Sequence, residues 1–183
     1  MNFSGFVVQL LNGLAGASSL FLVAAGLSLI FGVTRLVNFA HGSFYMVGVY
    51  VAYALVSRLE WLGFWFAVPI AAISVGLIGV VVEMTLLRRI YRAPELFQLL
   101  ATFALVLVIK DAVLWLAGPE ELLGPRAPGM TGSIAILGRQ FPVYVLFLIV
   151  VGPIVLGLLW MLLTRTRWGT LVRAATQDRE MVG

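Results

Sequence analysis

The chain has 183 residues, 62% of them hydrophobic and 11% charged, with a formal net charge of +4 and no cysteine. Soluble domains carry roughly 45–50% apolar and roughly 25% charged residues, so a water-facing globular domain is excluded and lipid must solvate most of the surface. Disulfides and thiolate metal sites are excluded too. The positive charge is read as topological rather than as a nucleic-acid footprint, because its arginines cluster between apolar runs.

A spanning helix needs about 20 mainly apolar residues to cross a hydrocarbon core about 30 Å thick. Five segments are predicted, over residues 6–33, 44–56, 64–87, 97–117 and 143–163. All should be helices, since an open strand would leave backbone groups unpaired in lipid. The expected fold class is all-α integral membrane, a polytopic helical bundle whose second segment is broken or re-entrant. The opening stretch, MNFSGFVVQLLNG, lacks a basic leader and the first arginine is Arg35, so no cleavable signal is expected there.

The passage into the second span, GLSLIFGVTRLVNFAHGSFYMVG, is the most unusual stretch. It places Arg35, Asn38 and the only histidine, His41, between Gly32 and Gly42. The span is too short to cross unless residues 36–43 contribute, and short glycine-interrupted segments point to transport sites. On a helix, Asn38 and His41 would share a face, and Gly42 would permit a bend. Two readings stand: a segment lining a translocation path, or a cytoplasmic turn with His41 exposed. His41 and Ser43 would face different ways on a helix, and the Gly-x-Ser-x-Gly hydrolase motif is absent. One histidine and no cysteine make a poor metal site. No catalytic or metal residue is assigned.

The third and fourth spans are joined by RRIYRAPEL, and Glu83 is expected to bend toward Arg88 and Arg89. Lys110 and Asp111 lie inside the fourth span, where charge needs a partner or water. Adjacent helical residues point about 100° apart, so each is expected to meet another helix, with a packing interface or substrate contact as the open choices. Small residues at Gly13 and Gly16, Gly48 and Ala52, and Gly76, Gly79 and Val80 have helix-packing spacing. Residues 118–141 form a long external loop with Pro119, Pro125 and Pro128, and SIAILGRQF within it reads as a hairpin around Gly138. The loop could cap a path, touch a soluble partner or simply connect.

Eight arginines (Arg35, Arg88, Arg89, Arg92, Arg165, Arg167, Arg173 and Arg179) fall on one side of the spans, and three (Arg58, Arg126 and Arg139) on the other. The positive-inside rule places the eight in the cytoplasm, the N-terminus outside and the Gly183 end inside. Trp61, Phe64, Trp65 and Trp115 then mark the outer interface, and Trp160 and Trp168 the inner one. No Gly-x-x-x-x-Gly-Lys-Ser/Thr loop is present, so any ATP hydrolysis belongs to another subunit.

Three blocks in order carry a family resemblance: GLSLIFGVTRLVNFAHGSFYMVGVYVAY, RRIYRAPELFQLLATFALVLVIKDAV and TRTRWGTLVRAATQDREM. Together they resemble the branched-chain amino acid ABC transporter permeases, the LivH-like family. The resemblance implies a permease subunit of an importer in a bacterial-type inner (plasma) membrane, passing leucine-, isoleucine- or valine-type amino acids by alternating access. It implies as partners a second permease subunit, cytoplasmic ATP-binding subunits that use ATP and Mg, and a periplasmic or extracellular substrate-binding protein. Membrane lipid is the surrounding partner, no nucleic acid is expected, and the chain itself needs no cofactor.

The translocation path is assigned to Asn38, His41, Gly42 and Tyr45. Residues 164–183 resemble the cytoplasmic ATPase-docking segment, with Gly169, Arg173, Ala174, Ala175, Gln177 and Asp178 in contact. The chain departs from the family at Ser43, where many relatives have glutamate after His-Gly, and at Lys110, more often uncharged. Relatives continue with further spans, so residues 1–183 are expected to be one incomplete permease domain, an N-terminal fragment. Other readings are a truncated, non-transporting membrane interaction protein, a permease for urea or short amides, and an ion-coupled transporter using Lys110 and Asp111 as a relay.

Overall fold

A computed structural model describes residues 3–34, 38–59, 63–120, 124, 127–136 and 138–177. Arg35, Leu36, Trp61, Arg126, Asp178 and Arg179, which carry parts of the expectations above, lie outside the described residues. The elements are α1 (Phe3–Thr34), α2 (His41–Arg58), α3 (Phe64–Ile90), α4 (Glu95–Ala117), β1 (Ser133–Ile136), β2 (Arg139–Pro142), α5 (Val143–Arg165) and α6 (Arg167–Gln177). The chain is an all-α polytopic membrane protein with a small hairpin in its longest loop. Four helices, α1, α3, α4 and α5, are long and apolar enough to cross a membrane. The fifth expected segment is α2, with 18 residues and a length near 27 Å at about 1.5 Å per residue.

Helices form here because lipid offers no competing hydrogen bonds, so each backbone pairs within its own segment. Hydroxyls follow the same rule. Ser19, Ser57, Ser74, Thr85 and Thr164 each donate to the carbonyl four residues earlier, at 2.7–3.1 Å. Thr102, wholly buried, donates to Leu99 at 3.0 Å. Among the described residues, no buried side-chain nitrogen or oxygen lacks a partner.

The chain divides into two compact units. One comprises Met1–Arg35 and Arg126–Gly183, in which α1, α5 and α6 pack together. A close contact joins Ser18 of α1 to Gly152 of α5: a Cβ at Gly152 would stand 2.5 Å from Ser18 Oγ and 3.3 Å from Ser18 Cα. Pro153 follows at once and removes one hydrogen bond from the α5 ladder. A Cβ added at Gly13 or Gly16 would meet nothing within 4 Å among the described residues, so the close small-residue contact seen in this unit falls elsewhere. In the loop before α5, Ala127 accepts from Met130 N–H at 3.0 Å across Pro128-Gly129, where Gly129 has φ +81°. Proline then glycine is the pattern a type II turn requires. The expected hairpin is present, pairing Ile134 with Phe141 and Ile136 with Arg139 beside Gly138 at φ +77°.

The other unit, Leu36–Pro125, holds α2, α3 and α4, with α2 packed on both neighbours. Ala67 and Ala71 are buried on α3, and a Cβ added at Gly48 of α2 would stand 3.5 Å from Val75 Cγ2, ordinary van der Waals contact. Gly76 and Gly79 face open space. A single π-turn, Glu83–Leu87, interrupts α3 near its end. Glu83 Oε2 accepts from the Tyr91 hydroxyl at 2.5 Å, so its partner comes from the following loop rather than from Arg88 or Arg89. Gln98 closes that loop by donating to the carbonyls of Tyr91 and Ala93 at 3.2 and 2.7 Å.

Candidate functional site

The residues assigned to a path cluster at the start of α2. Asn38 precedes the helix instead of sharing a helical face with His41. Its Oδ1 accepts from Ala40 N–H at 3.0 Å, and its carbonyl accepts from His41 N–H at 3.1 Å. Asparagine is suited to such a turn because its short side chain reaches the backbone two residues ahead. Asn38 is only 6% exposed and Ala40 fully buried, so the turn is packed inside the unit. The helix has no side-chain cap, and this turn leads the chain into it.

From His41 onward α2 is uninterrupted, so the expected break precedes the helix rather than dividing it. Gly42, Tyr45 and Val49 are exposed at spacings of three and four, which puts them on one outward stripe. Tyr45 is 62% exposed, His41 is half-buried and Ser43 faces inward. An alanine Cβ at Gly42 would meet nothing within 4 Å, so this glycine leaves a recess on the stripe. The structure thus brings Gly42 and Tyr45 together on a surface and turns Asn38 away from it. Lys110 and Asp111 are both exposed on α4.

The residues assigned to docking follow an elbow between α5 and α6. Thr166 leaves helical geometry, with φ −111° and ψ 154°. Its hydroxyl donates to the Leu162 carbonyl at 2.6 Å and accepts from Gly169 N–H at 3.0 Å. One side chain therefore satisfies a carbonyl at the end of α5 and an amide at the start of α6, groups that a helix end leaves open. A Cβ at Gly169 would collide with the backbone of Leu162 and Leu163. Only glycine permits that approach.

Gly169 is buried, Ala174 and Ala175 are half-buried, and Arg173 is exposed. Gln177 ends α6; its side chain, like Asp178, lies outside the described residues. Sequence reasoning missed Thr166, whose signal is a hydroxyl three residues before a glycine at a helix start. It also missed Leu171, which is exposed with Trp168 on α6 beside the arginines. No three of His, Cys, Asp and Glu gather to hold a metal among the described residues.

Residues 9–183 match the family described as branched-chain amino acid transport system, permease component. The chain belongs to this family. It is similar to the high-affinity branched-chain amino acid transport system permease protein BraD of Pseudomonas aeruginosa, with 27% identity over 96% of the chain and 61% of that protein. It is also similar to the permease protein LivH of Salmonella typhimurium, with 23% identity over 96% of the chain and 60% of the relative. A probable branched-chain amino acid transport permease protein LivH of Methanocaldococcus jannaschii is 26% identical over 87% of the chain and 51% of its own length. The chain thus spans about three-fifths of the first two relatives. No solved structure matches it significantly. Within this permease family, the α2 approach and the α5–α6 elbow are the two constellations in which polar side chains shape the backbone around the assigned residues.

Proposed function

We propose that the chain serves as a permease subunit of an ABC importer for branched-chain amino acids in a bacterial-type inner (plasma) membrane. The observation that carries this reading is the family match across residues 9–183. Arginine placement supports a cytoplasmic elbow and an external N-terminus. In that orientation α6 meets a separate ATP-binding subunit through its exposed face, where Arg167, Arg173, Trp168 and Leu171 combine charge with apolar area. ATP and Mg act on that subunit, a second permease subunit completes the conduit, and a substrate-binding protein delivers cargo from outside.

Alternating access then requires motion of α6 to reach the spans. The elbow suits such transmission because Thr166 bonds to both helices. The outward stripe of Gly42 and Tyr45 contributes wall to the path, and Asn38 shapes that wall through the turn. Membrane helices can expose a site alternately only if two arrangements differ in free energy by an amount the ATP-binding subunits can bias.

The test is uptake of tritiated leucine by proteoliposomes holding this chain with its partner subunits. The expected result is uptake that needs ATP inside and stops with vanadate. Uptake of urea without leucine, or proton-driven uptake insensitive to vanadate, would overturn the reading; the latter would return Lys110 and Asp111 to the centre. Crosslinkers placed at Ala174 should capture the ATP-binding subunit. Their failure across several lengths in a transporting complex would remove α6 from the docking surface.

A further inference from the structure

A cavity of about 550 Å³ opens between α2 and α4, away from both constellations above. Its volume lies in the range of about 300–1,000 Å³ typical of small-molecule sites. Along α2 it runs from Val47 to Arg58, close to 16 Å at about 1.5 Å per residue, and on α4 it is bounded by Val113, Leu116 and Ala117. The walls divide by chemistry. Val51, Val113 and Leu116 give apolar surface, while Tyr50, Tyr53 and Arg58 give polar groups.

Both helices that form the cavity end at it. Arg58 is the last residue of α2 and Ala117 the last of α4. The amides that follow, Leu59 and Gly118, bond back to Leu55 and Leu114, so the carbonyls beyond those two lie past the helical ladders. Helix C-termini carry partial negative charge, near half an elementary charge each. One rim therefore presents a guanidinium, suited to a carboxylate, beside two carbonyl-rich helix ends, suited to an ammonium. Compensating the α2 dipole would account for Arg58 alone. It would not account for two tyrosines and an apolar recess beside it.

We propose that this cavity is a binding station for a zwitterionic α-amino acid with a branched aliphatic side chain. Arg58 holds the carboxylate, the last-turn carbonyls of α2 and α4 hold the ammonium, and Val51, Val113 and Leu116 receive the side chain. The proposal rests on the permease reading for its cargo class, and it adds a site separate from the Asn38–Tyr45 segment. The same rim could take the headgroup of an anionic lipid, so the experiment separates the two sources.

The probe is tritiated leucine, bound at equilibrium to the assembled permease complex in phosphatidylcholine nanodiscs without the substrate-binding protein. Saturable binding is expected. The half-ligands 4-methylpentanoate and isopentylamine should compete at least about tenfold more weakly than leucine, each lacking one charge-assisted contact. Arg58→Gln should raise the leucine Kd about tenfold or more and abolish competition by the acid while sparing competition by the amine; Arg58→Lys should recover part of the loss. Val113→Trp should fill the recess and remove binding, and Arg58 variants carry the test if that variant fails to assemble.

Leucine affinity within twofold of the unaltered complex in Arg58→Gln would overturn the proposal. So would absence of saturable binding, or displacement of leucine by phosphatidylglycerol in the nanodisc, which would identify a lipid-headgroup site. Uptake measured in parallel separates the two readings. Leucine uptake that persists when binding shows no dependence on Arg58 sinks the station and leaves the permease standing. Arg58-dependent binding without leucine uptake does the reverse.

Discussion

Replacing Gly169 by alanine should separate ATP hydrolysis from transport. The new Cβ would press on the carbonyls of Leu162 and Leu163 and on Leu163 Cα, all of them backbone atoms that no rotamer change can move aside. Overpacking of this kind costs about 1–3 kcal/mol. Opening the elbow also loses the bond from Gly169 N–H to Thr166 Oγ1, a capping interaction contributing about 1 kcal/mol. Alanine recovers about 1 kcal/mol of helix propensity over glycine. The net cost of the closed elbow is then about 2 kcal/mol, roughly a thirtyfold fall in its population at a factor of ten per 1.4 kcal/mol.

The assay pairs leucine uptake with ATP hydrolysis in the reconstituted complex, and adds a spin-label distance between α5 and α6. Transport per ATP should fall by more than tenfold, with a broadened α5–α6 distance distribution. Thr166→Val, which keeps the shape and removes both hydrogen bonds, should move both readouts in the same direction by a smaller amount. Unchanged coupling together with an unchanged distance distribution in Gly169→Ala would refute the elbow argument.

Gly152→Ala should destabilise the α1–α5 pair by about 1 kcal/mol, the balance of overpacking against helix propensity. Adding Ser18→Gly removes the two nearest atoms and should restore it; a double-mutant cycle in mixed-micelle unfolding that proves additive within about 0.3 kcal/mol would count against the contact. Asn38→Ala should cost about 1 kcal/mol and speed hydrogen exchange in the first turn of α2, whereas Asn38→Ser keeps an acceptor two residues ahead and should largely preserve it. Equal exchange in both variants would show that the turn does not depend on this oxygen. Tyr91→Phe removes the hydroxyl bonded to Glu83 and should lower stability by about 1 kcal/mol, read as a drop in thermal midpoint; no drop would make that bond incidental.

Much was legible because each span meets the same solvent on nearly every side. Hydropathy and length alone marked α1, α3, α4 and α5, and their observed ends fall within three residues of those expected. The hairpin was legible for an equally local reason: β-type residues flank a glycine that can take positive φ. Chemistry carried in one run of residues, such as the three family-like blocks, could also be read directly.

Contacts between helices could not. Spans that are apolar all round give no stripe to say which face meets a neighbour, so spacing nominated Gly13, Gly16, Gly76 and Gly79 while the close approach fell to Gly152 and Ser18. Asn38 looked like half of a helical pair, and only the fold shows its oxygen turned to Ala40. Gly169 was nominated for docking alone, and only packing shows that its lack of a side chain lets α6 fold back against α5. The amino-acid sequence by itself determined the solvent, the spans, the hairpin and the family. Tertiary structure decided which small residues touch and which polar ones are spent on the backbone, because those outcomes depend on helix rotation and register, which a uniformly apolar surface leaves open.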